Sequence, residues 1–409
     1  MIKEIFSKRE NSTELNIVDG KIDAVVRKDH TMTGYRVYDQ GRLGIVGVIG
    51  KHDPESLIKQ AAAEAKWGNQ VSWSPVSGHK RRVEQMGTFL SVEDFAGFWE
   101  DKLKVIRSEF SDFVISNKLV QQEIVETLVN DNQTDLSQRV GYNEHLLILK
   151  DKGSQDIFST FGGTVGYDFD FDAFMGVLDQ MVSGYRRPVD LPKEDVLPVI
   201  MMSPDILHKF FTKQLSADVF QAGGSLFNGK AGQQIFSPNM SLEIKRDPST
   251  GIFRFFDMEG VSPTEETKFL IHKGVLKRPI SDLKHAHLYG YDANGGAAGV
   301  YDGSPNAQCT DIGCAKTHET MDDLLGGRMA VFAVIAAGGD FSDEGNFASP
   351  VQLSYLYQDG KIIGKLPPVK ISASIFDMYG KGYHGEATLP LGISDAFTVP
   401  VMDMKVETI

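Results

Sequence analysis

Four dipeptides that end in glycine stand between segments in which apolar and polar residues alternate. They are Asp19-Gly20, Gln40-Gly41, Lys273-Gly274 and Asp359-Gly360. In a two-residue type I′ turn both central residues need a positive φ, which glycine adopts without steric cost. Because the flanking segments alternate with a period of two, the sequence predicts antiparallel β-hairpins in both halves of the chain.

Helical patterns interrupt the strands of the N-terminal half. Asp53-Pro54 predicts a helix start, with aspartate as the N-cap and proline at the first helical position. Ser91 opens a capping-box pattern, and apolar residues follow it at helical spacing as far as Phe110. A third amphipathic segment covers about residues 172–183. The sequence therefore predicts α+β structure here, an antiparallel sheet with helices.

A polar segment with three prolines, RRPVDLPKEDVLP, follows at residues 186–198 and predicts an interdomain linker. A helix over 203–217 comes next, and strand patterns dominate after it. We therefore divide the chain into an N-terminal α+β domain at 1–187 and a C-terminal β-rich domain at 188–409.

The composition excludes several classes of protein. The net charge is -13, from 42 lysines and arginines against 55 acidic residues, which disfavours direct binding to nucleic acid. The longest apolar run, at 329–337, is the length of a buried strand and too short to span a membrane. There is no apolar N-terminal leader, and two cysteines are too few for a disulfide framework. We expect a cytoplasmic protein that is not inserted in a membrane.

Two short motifs contain residue types that bind metals. His285 and His287 are two positions apart, so on a helix they point in different directions and a solvated helix end is favoured over chelation. Cys309, Cys314 and His318 form C-x4-C-x3-H, which lacks the close cysteine pair and the fourth ligand of a zinc site. Packing of the cysteines in or beside a strand is favoured instead.

A glycine-rich run, YGYDANGGAAGVYDGSP at 289–305, fits neither the dinucleotide nor the phosphate-loop pattern. It predicts a long, adaptable surface loop that could line a groove.

Three segments of the C-terminal half occur in an order that resembles the TldD/PmbA family, also called modulators of DNA gyrase. They are FFDMEGVSPTEETKFLIHKGVLKRPISDLKHA, AGGDFS at 337–342 and YLYQDGKIIGKLPPVKISASIFDM. The N-terminal half fits through VDGKIDAVVRKDHTMTGYRVYDQGRLG, so the resemblance covers nearly the whole chain. It implies an N-terminal α+β domain and a C-terminal strand-rich domain around a central helix.

The resemblance also implies a division of labour. TldD-type subunits resemble metalloproteases with an H-E-x-x-x-H motif on the central helix and a cysteine near the C-terminus. PmbA-type subunits, also called TldE, lack these ligands and pair with the TldD type to trim unfolded peptides.

This chain departs from the TldD motif on the helix that contains LHKFFTKQLSAD. His208 aligns with the first histidine, Lys209 with the glutamate and Lys213 with the second histidine, and no cysteine follows Gly338. Zinc needs about three protein ligands and a general base, and a lysine ammonium cannot coordinate it. The resemblance therefore implies a PmbA-like subunit without catalytic residues or a cofactor, with zinc expected only in a TldD-type partner.

Two other functions stay open. One is an active metallopeptidase with non-standard ligands, drawn from His285, His287, Cys309, Cys314 and His318. The other is a homodimeric module that binds extended peptides by strand addition at a sheet edge. Gly338, Gly339 and Asp340 are the candidate residues of a peptide groove. The expected partners are unfolded peptides and either a second copy or a TldD-type subunit.

Overall fold

The computed structural model describes residues 1–155, 159–336, 338–394 and 396–409. The first eight strands form one sheet. They are β1 Ile2–Val18, β2 Lys21–Asp39, β3 Arg42–Ile49, β4 Asn69–Gln70, β5 Lys80–Met86, β6 Phe113–Asn130, β7 Thr134–Asp151 and β8 Thr160–Gly166. The helices of this half are α1 Pro54–Ala65, α2 Val92–Glu109 and α3 Phe171–Tyr185.

The predicted hairpin turns are confirmed. Asp19 and Gly20 have φ values of 49° and 65°, and the other three dipeptides likewise have positive φ at both residues. β1 and β2 pair antiparallel along almost their full lengths, as do β6 and β7. The α+β class is confirmed, with one refinement: the sheet is mixed, because β5 pairs parallel with β7. Parallel strands need a long connection, and here α2 and β6 lie between β5 and β7 along the chain.

The predicted helix starts are also confirmed. The Asp53 side chain accepts from the backbone N–H of Glu55, and Ser91 accepts from that of Asp94. α2 and α3 bury their apolar faces against the sheet, with Trp99 fully buried at the centre of the aromatic cluster.

The C-terminal half contains fourteen strands and five α-helices among its described residues. The strands are β9 Val196–Met201, β10 Leu242–Ile244, β11 Phe269–His272, β12 Val275–Leu276, β13 Ala297–Ala298, β14 Asn306–Ala307, β15 Ile312–Cys314, β16 Ala330–Ala336, β17 Asp340–Phe341, β18 Asn346–Gln358, β19 Lys361–Lys365, β20 Val369–Ser374, β21 Tyr383–Thr388 and β22 Thr398–Thr408. The helices are α4 Asp205–Leu215, α5 Ala217–Gln221, α6 Leu283–Tyr289, α7 Met321–Leu325 and α8 Ile375–Met378.

The larger sheet of this half closes on itself, because β18 pairs with both β20 and β16. β9 lies between β16 and β22 and leads directly into α4. α4 packs its apolar face into the largest core cluster, as expected for a strand-rich domain around a central helix. Among the described residues, no helix is both long and apolar enough to cross a membrane.

Contacts between the two halves place the loops of the second against the sheet of the first. Arg36 Nη1 donates to the Met258 carbonyl at 2.6 Å, and Gln138 Nε2 donates to the Phe253 carbonyl at 2.6 Å. The glycine-rich run is not simply a surface loop, since Gly295 and Gly296 are buried. At Gly34, a Cβ atom would lie 1.9 Å from the Tyr301 carbonyl oxygen, so glycine permits this close approach.

Candidate functional site

The helix α4 carries the residues that align with the metal motif. His208 is half-buried, whereas Lys209 and Lys213 are exposed to solvent. The three side chains therefore do not converge on one point. Phe211 and Leu215, three and seven positions after His208, lie on the side of α4 away from the two lysines, and both are fully buried.

His208 lines a cavity of about 290 Å³ at the start of α4. Its polar lining includes Asp205, Lys245, Asp311 and Glu386. The pKa of His208 is lowered to about 4, chiefly by burial; Asp205 acts in the opposite direction, and the nearby Lys245 lowers the pKa as burial does. The imidazole is therefore neutral at pH 7 and can both donate and accept one hydrogen bond.

Lys245 places a fixed positive charge beside His208. Its Nζ atom donates to Glu243 Oε1 at 2.9 Å and to the Cys314 carbonyl at 2.8 Å. A Cβ atom on Gly313 would lie 3.1 Å from Lys245 Cε and 3.9 Å from His208 Nε2. The lysine chain and the imidazole thus approach the same point of the cavity wall.

Glu386 is the most perturbed carboxyl group of the cavity. Its Oε1 atom accepts from Thr398 Oγ1 at 3.1 Å, while Oε2 is buried without a hydrogen-bond partner among the described residues. Burial raises the pKa of Glu386 to about 8, although Lys245 and Thr398 act in the opposite direction.

Replacing Glu386 should change how stability depends on pH. The pKa rises from an ordinary value of 4.5 to about 8 on folding, so between these values the folded state retains a proton that the unfolded state has lost. The stabilisation of the folded state by this proton is complete below pH 4.5, and it is lost as the pH rises through about 8. The slope approaches about 1.4 kcal/mol per pH unit.

Urea unfolding of wild type and Glu386→Gln at pH 5, 6, 7 and 8 tests this expectation. As the pH rises, the free energy of unfolding of the wild type should fall steadily relative to that of Glu386→Gln. A difference that stays constant across this range would contradict it.

A second groove of about 360 Å³ lies on the other side of the start of α4. It is lined by Lys209, Gly338 and Gly339, and it shares Ser203 and Asp205 with the first cavity. Two of the three candidate groove residues are thus brought next to α4. The third, Asp340, is exposed, and its Oδ1 accepts from the backbone N–H of Phe341.

The histidine pair at 285 and 287 does not form a metal site. Both residues lie on α6, and His287 is exposed while His285 is buried. The expectation of a solvated helix end was wrong for His285, which contacts Asp282 Oδ1 at 2.6 Å and Asp218 Oδ1 at 2.7 Å. It joins α6 to α5 through two carboxylates.

The two cysteines are free thiols and both are buried. Cys314 is part of β15, as expected for packing in a strand, and Arg246 Nη2 approaches Cys309 Sγ at 3.2 Å. Burial raises the pKa of Cys309 to about 11. His318 lies apart, with Nδ1 at 2.9 Å from Thr317 Oγ1.

The residues around α4 do not fit a catalytic zinc ion. The described residues contain no group of three or more His, Cys, Asp and Glu side chains arranged to hold a metal. At the helix itself, the ammonium of Lys245 extends beside the one histidine. Lys245 and Glu386 could not be found from the sequence, because they are 37 and 178 positions from His208 and neither stands in a local motif.

A comparison with protein families identifies the C-terminal part of the chain. Residues 195–390 match the family described as the PmbA/TldA metallopeptidase C-terminal domain. Among curated proteins, an uncharacterised protein of Methanocaldococcus jannaschii is 29% identical over 189 residues, or 44% of this chain and 44% of that protein. A metalloprotease TldD homologue of Haemophilus influenzae is 28% identical over 229 residues, 49% of this chain and 44% of that protein. The chain therefore matches less than half the length of these relatives.

The fold of the whole chain is similar to that of a solved structure. The crystal structure of TldE from Thermococcus kodakarensis has a TM-score of 0.77 and 18% sequence identity, covering 99% of this chain and 96% of that one. At this identity the likeness concerns the fold, and it extends over both halves of the chain.

Proposed function

Because this chain belongs to the TldD/PmbA family, we propose that it is the metal-free, non-catalytic subunit of a peptide-processing metalloprotease assembly. The observation that carries the proposal is the chemistry of α4. Only His208 has a ligand-type side chain among the three aligned positions, and Lys209 and Lys213 project into solvent. Neither lysine can take the role of a glutamate that accepts a proton from a zinc-bound water.

A role in holding peptides is supported by the sheet edge beside α4. β9 pairs with β16 only as far as Ala333, and the chain then turns away into α4. Beyond Ala333, this edge of β16 has no strand partner in the described parts of the chain. An extended peptide can add to such an edge through main-chain hydrogen bonds.

The site of peptide cleavage would then belong to a TldD-type partner, which holds the zinc. We propose that this chain supports the substrate and completes the assembly. A cytoplasmic location is consistent with two buried free thiols and an acidic surface charge.

Metal analysis and co-purification from the native host test this function. We expect substoichiometric zinc in the isolated chain, no peptidase activity without a partner, and a co-purifying subunit with an H-E-x-x-x-H motif. About one tightly bound zinc per isolated chain, with chelator-sensitive peptidase activity, would overturn the proposal. A homodimer that binds peptides without any such partner would favour the binding-module alternative.

A further inference from the structure

We propose that the cavity beside His208 binds an uncharged aromatic side chain of an extended peptide. This inference rests on the proposed function and deepens it, because it assigns a side-chain class to the peptides that the chain would hold. Three observations carry it. The ionic groups of the cavity are already satisfied, several of its apolar side chains are only half-buried, and the cavity shares residues with the groove on the other side of the start of α4.

The ionic groups in the cavity wall are neutralised within the protein. Lys245 Nζ donates to Glu243 Oε1 at 2.9 Å and to the Cys314 carbonyl at 2.8 Å. The carboxylate of Asp311 forms ion pairs with two arginines. A charged ligand would therefore lose its hydration in the cavity without meeting an unpaired counter-ion in the wall.

Two further titratable groups of the lining are mainly uncharged at pH 7. Burial lowers the pKa of His208 to about 4 and raises the pKa of Glu386 to about 8. The carboxylate of Asp205 is exposed to solvent and so keeps its hydration. The His208 ring has no hydrogen-bond partner among the described residues, and a phenol hydroxyl could bind it. The ligand class therefore includes tyrosine as well as phenylalanine.

Apolar side chains of the lining keep part of their surface accessible. Five of them are half-buried, namely Met202, Pro204, Phe253, Leu389 and Phe397. Accessible apolar surface around a concave site is typical of ligand pockets. Covering this surface with an apolar group would supply most of the binding free energy.

The arrangement of two rings favours an aromatic ligand over an aliphatic one. The rings of Phe253 and Phe397 are perpendicular, with their centroids 6.5 Å apart. A third ring between them could stack on one face and contact the edge of the other. Phe253 is held in place by the N-terminal half, because its carbonyl accepts from Gln138 Nε2 at 2.6 Å. The cavity volume of about 290 Å³ suits one large side chain.

The position of the cavity relative to the groove allows an extended peptide to use both. Ser203 and Asp205 line the cavity and also the groove, which the end of β16 borders. A peptide that adds to this edge of β16 directs successive side chains to opposite sides. One of them can therefore enter the cavity while the backbone stays in the groove.

Calorimetric titration of the purified full chain with five peptides tests the site. The probes are acetyl-Thr-Thr-X-Thr-Thr amides in which X is Phe, Tyr, Ala, Glu or Lys. We expect the Phe and Tyr peptides each to bind at least about tenfold more tightly than the other three. The alanine side chain covers too little apolar surface, and the two charged side chains would have to lose their hydration.

Variants locate the binding. Phe397→Ala removes one of the two rings and should weaken binding of the Phe peptide about fivefold or more. Leu389→Trp is a second variant in case the first does not fold, and it should weaken binding by filling the cavity. Phe89→Ala is the matched control, because Phe89 is 36% exposed and lies outside the cavity lining. It should leave the affinity unchanged.

The inference is overturned if the five peptides bind equally, if none binds, or if a charged peptide binds most tightly. It is also overturned if neither Phe397→Ala nor Leu389→Trp weakens binding of the Phe peptide. These results would leave the proposed function intact as long as a zinc-containing partner co-purifies. Conversely, zinc and peptidase activity in the isolated chain would remove the proposed function whatever the peptides do.

Discussion

Replacing Phe211 by alanine is expected to lower the free energy of unfolding by about 3–5 kcal/mol, the usual cost of removing a buried aromatic ring. Phe211 is fully buried on α4, and its ring lies 5.1 Å from that of Tyr379, centroid to centroid. Phe227 and Phe236 contact the same ring at 6.2 and 6.0 Å. Because rings surround it on several sides, the core cannot close over the cavity that alanine would leave.

Lys213→Ala on the same helix is the control, and it should change stability by less than about 0.5 kcal/mol because the side chain is exposed. Chemical denaturation of both variants measures the contrast. Equal losses in the two variants would show that α4 is not anchored through its apolar face. The expected contrast would instead show that the helix is maintained by packing, independently of the metal motif.

Replacing Asp257 by alanine should cost about 3 kcal/mol or more, because three buried N–H groups would lose their acceptor. Asp257 Oδ1 accepts from the backbone N–H groups of Glu259 and Val261, both at 2.9 Å. Oδ2 accepts from the N–H of Ala297 at 2.9 Å. One side chain thus shapes the turn at residues 257–260 and attaches the glycine-rich run at 289–305 to it.

Asp257→Asn should fall between alanine and wild type, since the amide keeps one oxygen acceptor and presents an NH₂ group in place of the other. Asp343→Ala, at an exposed position, is the control for loss of an acidic residue. The denaturation midpoint should be lowest for Asp257→Ala, higher for Asp257→Asn and highest for Asp343→Ala. If Asp257→Ala were as stable as the control, the three hydrogen bonds would not be needed for the fold.

Local sequence patterns predicted the local structure well. Asp19-Gly20 defines a turn and Ser91 defines a helix start. Both depend only on residues a few positions away, so the local sequence is enough to predict them. The parallel pairing of β5 with β7 was not predictable in this way. It joins Lys80 to Asp135 across 55 residues and depends on the path of α2.

The site was predictable only in part, for the same reason. The alignment of α4 with the family motif pointed to His208, and two of the candidate groove residues, Gly338 and Gly339, line the groove beside Lys209. Glu386 lies on β21, and Lys245 directly follows β10 of the four-stranded sheet, so the two reach the cavity from different sheets. His285 was misjudged because its two carboxylate partners include Asp218, 67 residues away on another helix.

The close approach of Tyr301 to Gly34 packs the two halves of the molecule directly against each other. Each half completes the buried surface of the other, since Arg36 and Gln138 of the first sheet bind backbone groups in loops of the second half. If the halves were separated, these groups would lose their protein partners and the buried surface around them would be exposed to water. We therefore expect the two halves, which the sequence predicts to be domains with a boundary at 187/188, to unfold together.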